Sequence, residues 1–131
     1  MSSKLNDIAD LYIVEANTQP SSAVVTSVTG ATIDFVTCDN NCFAIQVIGT
    51  VGGTAPTFIG KIQEAITATG TYADVSGAVF PTITSTTGAN IIQTINFQRT
   101  LQYLRYIGTI SGTTSSVALD VLILGQKKQV S

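Results

Sequence analysis

The chain has no histidine and no tryptophan, only two cysteines and three prolines, and only 11% charged residues, where an ordinary soluble domain carries about 25%. Each shortage excludes something. Without histidine, proton transfer near neutral pH falls to carboxylates, lysine, tyrosine or cysteine. Cys38 and Cys42 alone cannot complete the ligand set of a structural zinc site. They bracket Asp39, Asn40 and Asn41, one residue wider than a redox C-x-x-C. They read as two reduced thiols flanking a turn, with a local disulfide across that turn as the alternative. The Asp-Asn-Asn between them reads as an Asx-type turn, since no acidic cluster has the spacing of a calcium loop. A formal net charge of −2 argues against sequence-independent nucleic-acid binding, which neutralises phosphates with a basic face. Lys127 and Lys128, the one adjacent basic pair, read as a solvated tail. Long hydrophobic runs are missing too. Nothing approaches the roughly 20 apolar residues that span a bilayer, and MSSKLNDIADLY has no secretory-signal core. Neither a membrane nor a nucleic acid is expected as a partner.

What fills the gap is Ser, Thr, Gly and Asn, beside a normal apolar fraction of 44%. Such a surface is polar but weakly charged, so copies repel one another little, which suits a protein packed against itself or a partner. At 131 residues one domain is expected, able to bury roughly 65–70% of its unfolded surface. Residues 1–20 stand apart as an N-terminal arm ending in the breaker cluster NTQPSS. Leu5, Ile8, Ala9 and Tyr12 would form one stripe on a short helix, while Leu11 and Ile13 alternate equally well in a strand. From there on, residues 21–131 read as β throughout. Apolar runs rich in Val, Ile, Thr, Phe and Tyr alternate with Gly, Asn, Ser and Thr turns. The expected strands cover 23–28, 31–37, 42–51, 57–66, 78–85, 91–99, 101–110 and 116–124, with TYADV as a further short one. Phe43, Ile45, Val47 and Val51 share one face; so do Leu104, Tyr106 and Ile110, and so do Val117, Leu119, Val121 and Ile123. The expected fold is all-β: an antiparallel sandwich or jelly roll of about eight strands with an N-terminal arm. Several strands are apolar on both faces. Leu122 and Leu124 oppose the last row and Ile48 opposes Val47, a surplus that calls for cover by the arm or another subunit.

Two stretches nearly repeat: IGTVGGTAPT (48–57) and IGTISGTTSS (107–116). Glycine loops that cradle phosphates lead into a helix, whose N-terminus supplies the anion site. Strands follow both phrases here. They are therefore expected to be equivalent hairpin connections, one from each half of the sandwich, with Gly53 and Gly112 at positive φ.

The carboxylates available for chemistry are Asp7, Asp10, Glu15, Asp34, Asp39, Glu64, Asp74 and Asp120. Structural pairing accounts for them better than catalysis; Glu64 and Asp120 lie in strands within reach of Lys61, Arg99 or Arg105. No serine sits in G-x-S-x-G. The chain is expected to be no enzyme, with no catalytic residue, no cofactor, no metal and no small-molecule substrate.

Residues 61–80, KIQEAITATGTYADVSGAVF, and 95–128, INFQRTLQYLRYIGTISGTTSSVALDVLILGQKK, resemble capsid decoration (cement) proteins of tailed bacteriophages, small β-sandwich structural proteins of the virion. The likeness rests on a Gln-Glu strand, an aromatic-x-Asp-Val turn followed by Gly-Ala, the Arg-Thr and Arg-Tyr strand pair, and the closing Gly-Gln-Lys-Lys. Tyr72 stands where a tryptophan is usual. The resemblance implies a non-enzymatic protein of the capsid surface, assembled in the host cytoplasm, that stabilises the lattice of the major capsid protein as a homo-trimer or homo-dimer. A tail, adaptor or baseplate component is the alternative, and a carbohydrate-binding sandwich a more distant one. The arm is where partner contact is expected, through Lys4, Leu5, Ile8, Leu11, Tyr12, Ile13 and Val14, since segments that order on binding can wrap a large surface.

Overall fold

The computed structural model describes residues 11–15, 23–36, 38–84 and 90–127. It forms nine strands: β1 (Leu11–Glu15), β2 (Ala23–Val24), β3 (Val28–Thr29), β4 (Ile33–Asp34), β5 (Cys38–Ala65), β6 (Ala73–Val79), β7 (Ile83–Thr84), β8 (Ile91–Gln98) and β9 (Tyr103–Lys127). Every pairing is antiparallel, and no helix occurs among the described residues.

The architecture follows from two unusually long strands. β5 and β9 pair along nearly their whole length, from Cys38↔Lys127 to Ala65↔Tyr103. β1, β2, β3 and β4 line the other side of β9 in succession, against 122–126, 117–118, 107–108 and 103–104. β6, β7 and β8 do the same along β5. The ribbon then folds across its middle. One half holds β1, the end of β9, the start of β5, and β8. The other holds β3, β4, the start of β9, the end of β5, β6 and β7. The inner faces share one core, to which Ala44, Ile48, Val117, Leu119, Val121 and Ile123 contribute from the first half and Phe58, Ile62, Val75, Phe80, Ile83, Leu104 and Tyr106 from the second. This is the antiparallel β-sandwich that the periodicity implies.

The repeated phrases make the fold line. They are not hairpin connections: each lies inside a long strand, and the two pair with each other through Gly52↔Ser116, Thr54↔Thr113 and Thr57↔Ser111. Register shifts fall between Ile48 and Val51, Gly52 and Thr54, and Thr54 and Thr57. The backbone turns left-handed at Gly53 (φ 105), Ala55 (φ 47), Gly112 (φ 109) and Thr114 (φ 49), which are equivalent positions of the two phrases. Bulges of this kind bend a strand and raise its twist, so one strand passes from one sheet to the other. The positive φ expected at Gly53 and Gly112 is present. The hairpins are not, because a bulged corner meets the same glycine requirement without reversing the chain.

Expected strands 42–51 and 57–66 are thereby fused in β5, and 101–110 and 116–124 in β9. Residues 23–37 are shorter in strand than expected, because this edge pairs only in brief segments. Expected strand 78–85 is divided by Pro81, which has no N–H for a ladder. TYADV enters β6 from Ala73 onward. Asp39, Asn40 and Asn41 form no Asx turn; they run within β5, where the register against β9 shifts between Cys38 and Cys42. The Asx-type contact is made instead by Asp34, whose Oδ1 accepts the Val36 N–H at 2.9 Å.

Candidate interaction surface

A sheet with one apolar face needs that face inside, and the two sheets of this sandwich treat the opposite face differently. In the second half, alternate residues point outward from β5, β6 and β9 and satisfy one another. Lys61 Nζ bonds Asp74 Oδ2 at 3.0 Å, and Gln63 Nε2 donates to Asp74 Oδ1 at 2.9 Å. Hydrogen bonds from Gln63 and Lys61 hold the Asp74 carboxyl below the usual aspartate range. Arg105 donates from Nε and Nη2 to Gln63 Oε1 at 3.0 and 2.9 Å and lies 4.0 Å over the Tyr72 ring. The Tyr72 hydroxyl lies 2.9 Å from both Thr32 Oγ1 and the Ala68 carbonyl. The polar groups of this face are thus paired, while Ile59 and Val79 beside them are 40% and 49% exposed.

The first half carries a contiguous apolar row instead. Across its outer face the register sets Phe43 between Leu124 and Asn96, Ile45 between Leu122 and Thr94, and Val47 between Asp120 and Ile92. Phe43, Ile45 and Leu122 are half-buried, Val47 is 37% exposed and Ile92 67%. Asp120 is the charged side chain among these positions. The row Phe43, Ile45, Val47 therefore faces outward, while Cys42, Ala44, Gln46 and Ile48 face the core. Val51 does not share the outer row; after the shift at Ile48 it packs against the core. Leu104 and Tyr106, and Val117, Leu119, Val121 and Ile123, are buried as their alternation implies.

Behind this face lies a polar centre that periodicity does not reveal. Gln46 is fully buried. Its Oε1 accepts from the Tyr106 hydroxyl of the opposite sheet, and its Nε2 donates to Gln93 Oε1 at 2.9 Å. Gly60 makes room, since a Cβ there would fall 2.2 Å from both Gln46 Oε1 and Tyr106 Oη. Burial lifts the Tyr106 phenol well above the ordinary tyrosine value.

One end of the sandwich carries the remaining polar chemistry. Arg99, 6% exposed, donates to the carbonyls of Phe35 at 2.8 Å, Leu101 at 3.0 Å and Cys38. Glu64 pairs with no arginine in its described hydrogen bonds. Its carboxylate accepts from Thr100 N and Oγ1, both at 2.8 Å, and from Leu101 N at 3.0 Å, fixing the β8–β9 connection. Cys38 and Cys42 are buried thiols. Burial raises the Cys42 thiol to about 11, and Arg99 opposes the rise only partly, so its reactive thiolate is scarce. Beside them, Asp39, Asn40, Asn41, Gln98, Arg99 and Thr100 line an open polar cleft of ≈ 610 Å³. Its backbone and side-chain groups bond one another, as in Gln98 Nε2 to Asn41 Oδ1 at 3.0 Å. Among the described residues no three His, Cys, Asp or Glu side chains gather as a metal cluster.

Of the residues expected to touch a partner, Lys4, Leu5 and Ile8 lie outside the described residues. Leu11, Tyr12, Ile13 and Val14 form β1, in register with Gln126, Gly125, Leu124 and Ile123. β1 thus runs along the strand that supplies Leu122 and Leu124 to the apolar outer face. Sequence reasoning missed Ile92 and Gln46. Ile92 lies in the uncharged run IIQTINFQ, whose outward side could have been followed by alternation; nothing local marks Gln46 as core.

The fold and these faces define a small all-β sandwich with a hydrogen-bonded polar network on one outer face and a contiguous apolar row on the other. No family model matches the chain, and no curated protein does. Among solved structures it is similar to the SPBc2 prophage-derived protein YomS, with a TM-score of 0.50 and 10% identity over 88% of this chain and 94% of that one. That likeness shows a shared fold. Weaker similarity links it to the CBM22-1–GH10 modules of Clostridium thermocellum xylanase 10B, with a TM-score of 0.49 and 10% identity over 94% of this chain but 26% of that one. A CBM36-1 domain of a termite-hindgut metagenome xylanase follows, with a TM-score of 0.44 and 11% identity over 92% of this chain and 100% of that one.

Proposed function

We propose that this chain is a non-enzymatic structural protein of a bacteriophage virion, a decoration (cement) protein that seats on the lattice of a major capsid protein as a homo-oligomer. The observation that carries the proposal is the contrast between the two outer faces. Lys61, Asp74, Gln63, Arg105 and Tyr72 tie up the polar groups of one, beside exposed Ile59 and Val79, whereas on the other the apolar row Phe43, Ile45 and Val47 lies beside Ile92, Leu122 and Leu124. Exposed apolar patches mark interaction sites. β1 borders this face, and Lys4, Leu5 and Ile8, which precede it in sequence, are proposed to reach the lattice with it. Many copies on a regular shell supply strength through avidity even where each contact is modest. The fold shared with a prophage-derived protein and the resemblance of residues 61–80 and 95–128 to cement proteins support the same reading.

The test is cosedimentation with particles lacking this protein. Wild type should bind heads. Val47→Lys combined with Ile92→Lys, and separately deletion of residues 2–10, should each lose binding while circular dichroism and the melting transition show a folded sandwich. Binding unchanged in both variants overturns the proposal. Binding to tails alone moves the protein to an adaptor or baseplate. Retention on insoluble xylan, with no particle binding, replaces a virion role with a carbohydrate-binding one.

A further inference from the structure

We infer that β8 is a docking edge for a second copy of itself, so that two sandwiches join their β8 strands antiparallel about a two-fold axis. This specifies the homo-oligomer of the proposed function but stands on strand chemistry alone. β8 pairs with β5 in unbroken register over eight residues, from Asn41↔Gln98 to Ile48↔Ile91. Among the described residues β5 is its one pairing partner. Every second N–H and C=O of such a strand points away from its neighbour, and an open row of this kind is a template for another strand.

Natural sheets guard their edges with short strands, charges, proline or bulges. The other sheet edges among the described residues have them. The edge along β9 is broken into β1, β2, β3 and β4, the last three of two residues each. The edge formed by β6 and β7 carries Asp74, a register shift opposite Lys61 and Gln63, a left-handed Gly77 (φ 78) and then Pro81. β8 reads IIQTINFQ: no charge, no proline, no glycine, no shift.

A second copy is the occupant that this composition fits. Like charges directly opposite destabilise a strand pair, and an uncharged strand opposes none when it meets itself. An isologous axis normal to the sheet keeps inward residues against inward ones, and two such registers overlap β8 most fully. One sets Ile95 on Ile95 with Gln93 opposite Phe97; the other sets Thr94 on Thr94 with Ile91 opposite Phe97. Ile95, half-buried at the margin of the core, gains cover in both, and Ile91 in the second. In both, Ile92, 67% exposed, meets Asn96 or Gln98 across the seam, and the apolar outer face runs on from one copy to the next.

Sedimentation of the isolated full chain tests this without any particle, so its outcome is separate from that of lattice binding. A monomer–dimer equilibrium is expected. Thr94→Lys with Asn96→Lys places like charges opposite one another in either register, on side chains that point to solvent in the monomer. It should weaken dimerisation at least about tenfold, whereas Ser76→Lys on the exposed side of β6 should leave it unchanged. Hydrogen exchange should show alternate β8 amides becoming protected as concentration rises. A chain monomeric at every concentration, a trimer, or a dimer indifferent to the Thr94 and Asn96 charges overturns the inference.

Discussion

Tyr106 is the largest fully buried side chain, and its hydroxyl joins the two sheets by donating to Gln46. Removing the donor while keeping the ring leaves a buried carbonyl oxygen without that bond, a loss of about 1–3 kcal/mol. Tyr106→Phe should therefore destabilise the protein by this amount in equilibrium denaturation; a loss below about 0.5 kcal/mol would mean that Gln46 finds another donor. The same residue sets an alkaline limit. Its folded pKa is raised by burial, so the folded state holds the phenolic proton after the unfolded chain has released it near pH 10. The stabilisation is complete below that pH and falls as pH rises beyond it. Tyr106→Phe should flatten stability against pH above about 10 relative to wild type.

At the scale of elements, the corners of β5 and β9 decide the fold. A Cβ on Gly112 would meet the Ala55 carbonyl at 2.7 Å and Pro56 Cα at 3.0 Å, at φ 109. Both obstacles are backbone of the paired strand and cannot swing aside. Gly112→Ala should cost more than about 2 kcal/mol. At Thr114 (φ 49) a β-branched residue already occupies the left-handed region, at a cost of about 1–2 kcal/mol. Glycine gives back about 0.5–1 kcal/mol of that in chain entropy. Thr114→Gly should thus raise stability by up to about 1 kcal/mol, and a fall would show that its Oγ1 bond to the Thr113 carbonyl outweighs the backbone strain. These corners also mark how far the sequence could be read. Alternation finds the inward rows of β9 because Leu104 and Tyr106 flank Arg105, and Val117, Leu119 and Val121 alternate with Ala118 and Asp120. It cannot orient Phe43, Ile45 and Val47, since both faces of that stretch are apolar and the polar Gln46 sits on the inner one. A bulge then reverses the parity before Val51. The glycines of the repeated phrases signal positive φ, but a bulged corner and a hairpin demand the same residues. The roles of Glu64 and Arg99 depend on loops remote in sequence, and no local pattern announces them.

The whole molecule inherits its cooperativity from those two strands. Because β5 and β9 each run through both halves, neither sheet can lose its central pair without disturbing the other. The Tyr106–Gln46 bond and the shared core tie the halves again across the interior. Local unfolding units tend to follow supersecondary motifs, but here the motif spans the fold line. Denaturation should therefore be a single transition, with coincident midpoints for probes in the first half, around Phe97, and in the second, around Tyr106. The pairing partners are also far apart in sequence, from Cys38↔Lys127 to Ala65↔Tyr103. The loop entropy of bringing them together precedes most of the contacts that reward it. Refolding should accordingly take milliseconds to seconds, as for other sandwiches with non-local pairing. Stopped-flow fluorescence and pulsed hydrogen exchange can follow both halves at once. If the strands near Phe97 gained protection well before those near Tyr106, the fold line would be a hinge between separable sheets, and the corners at Gly53 and Gly112 would be connections only.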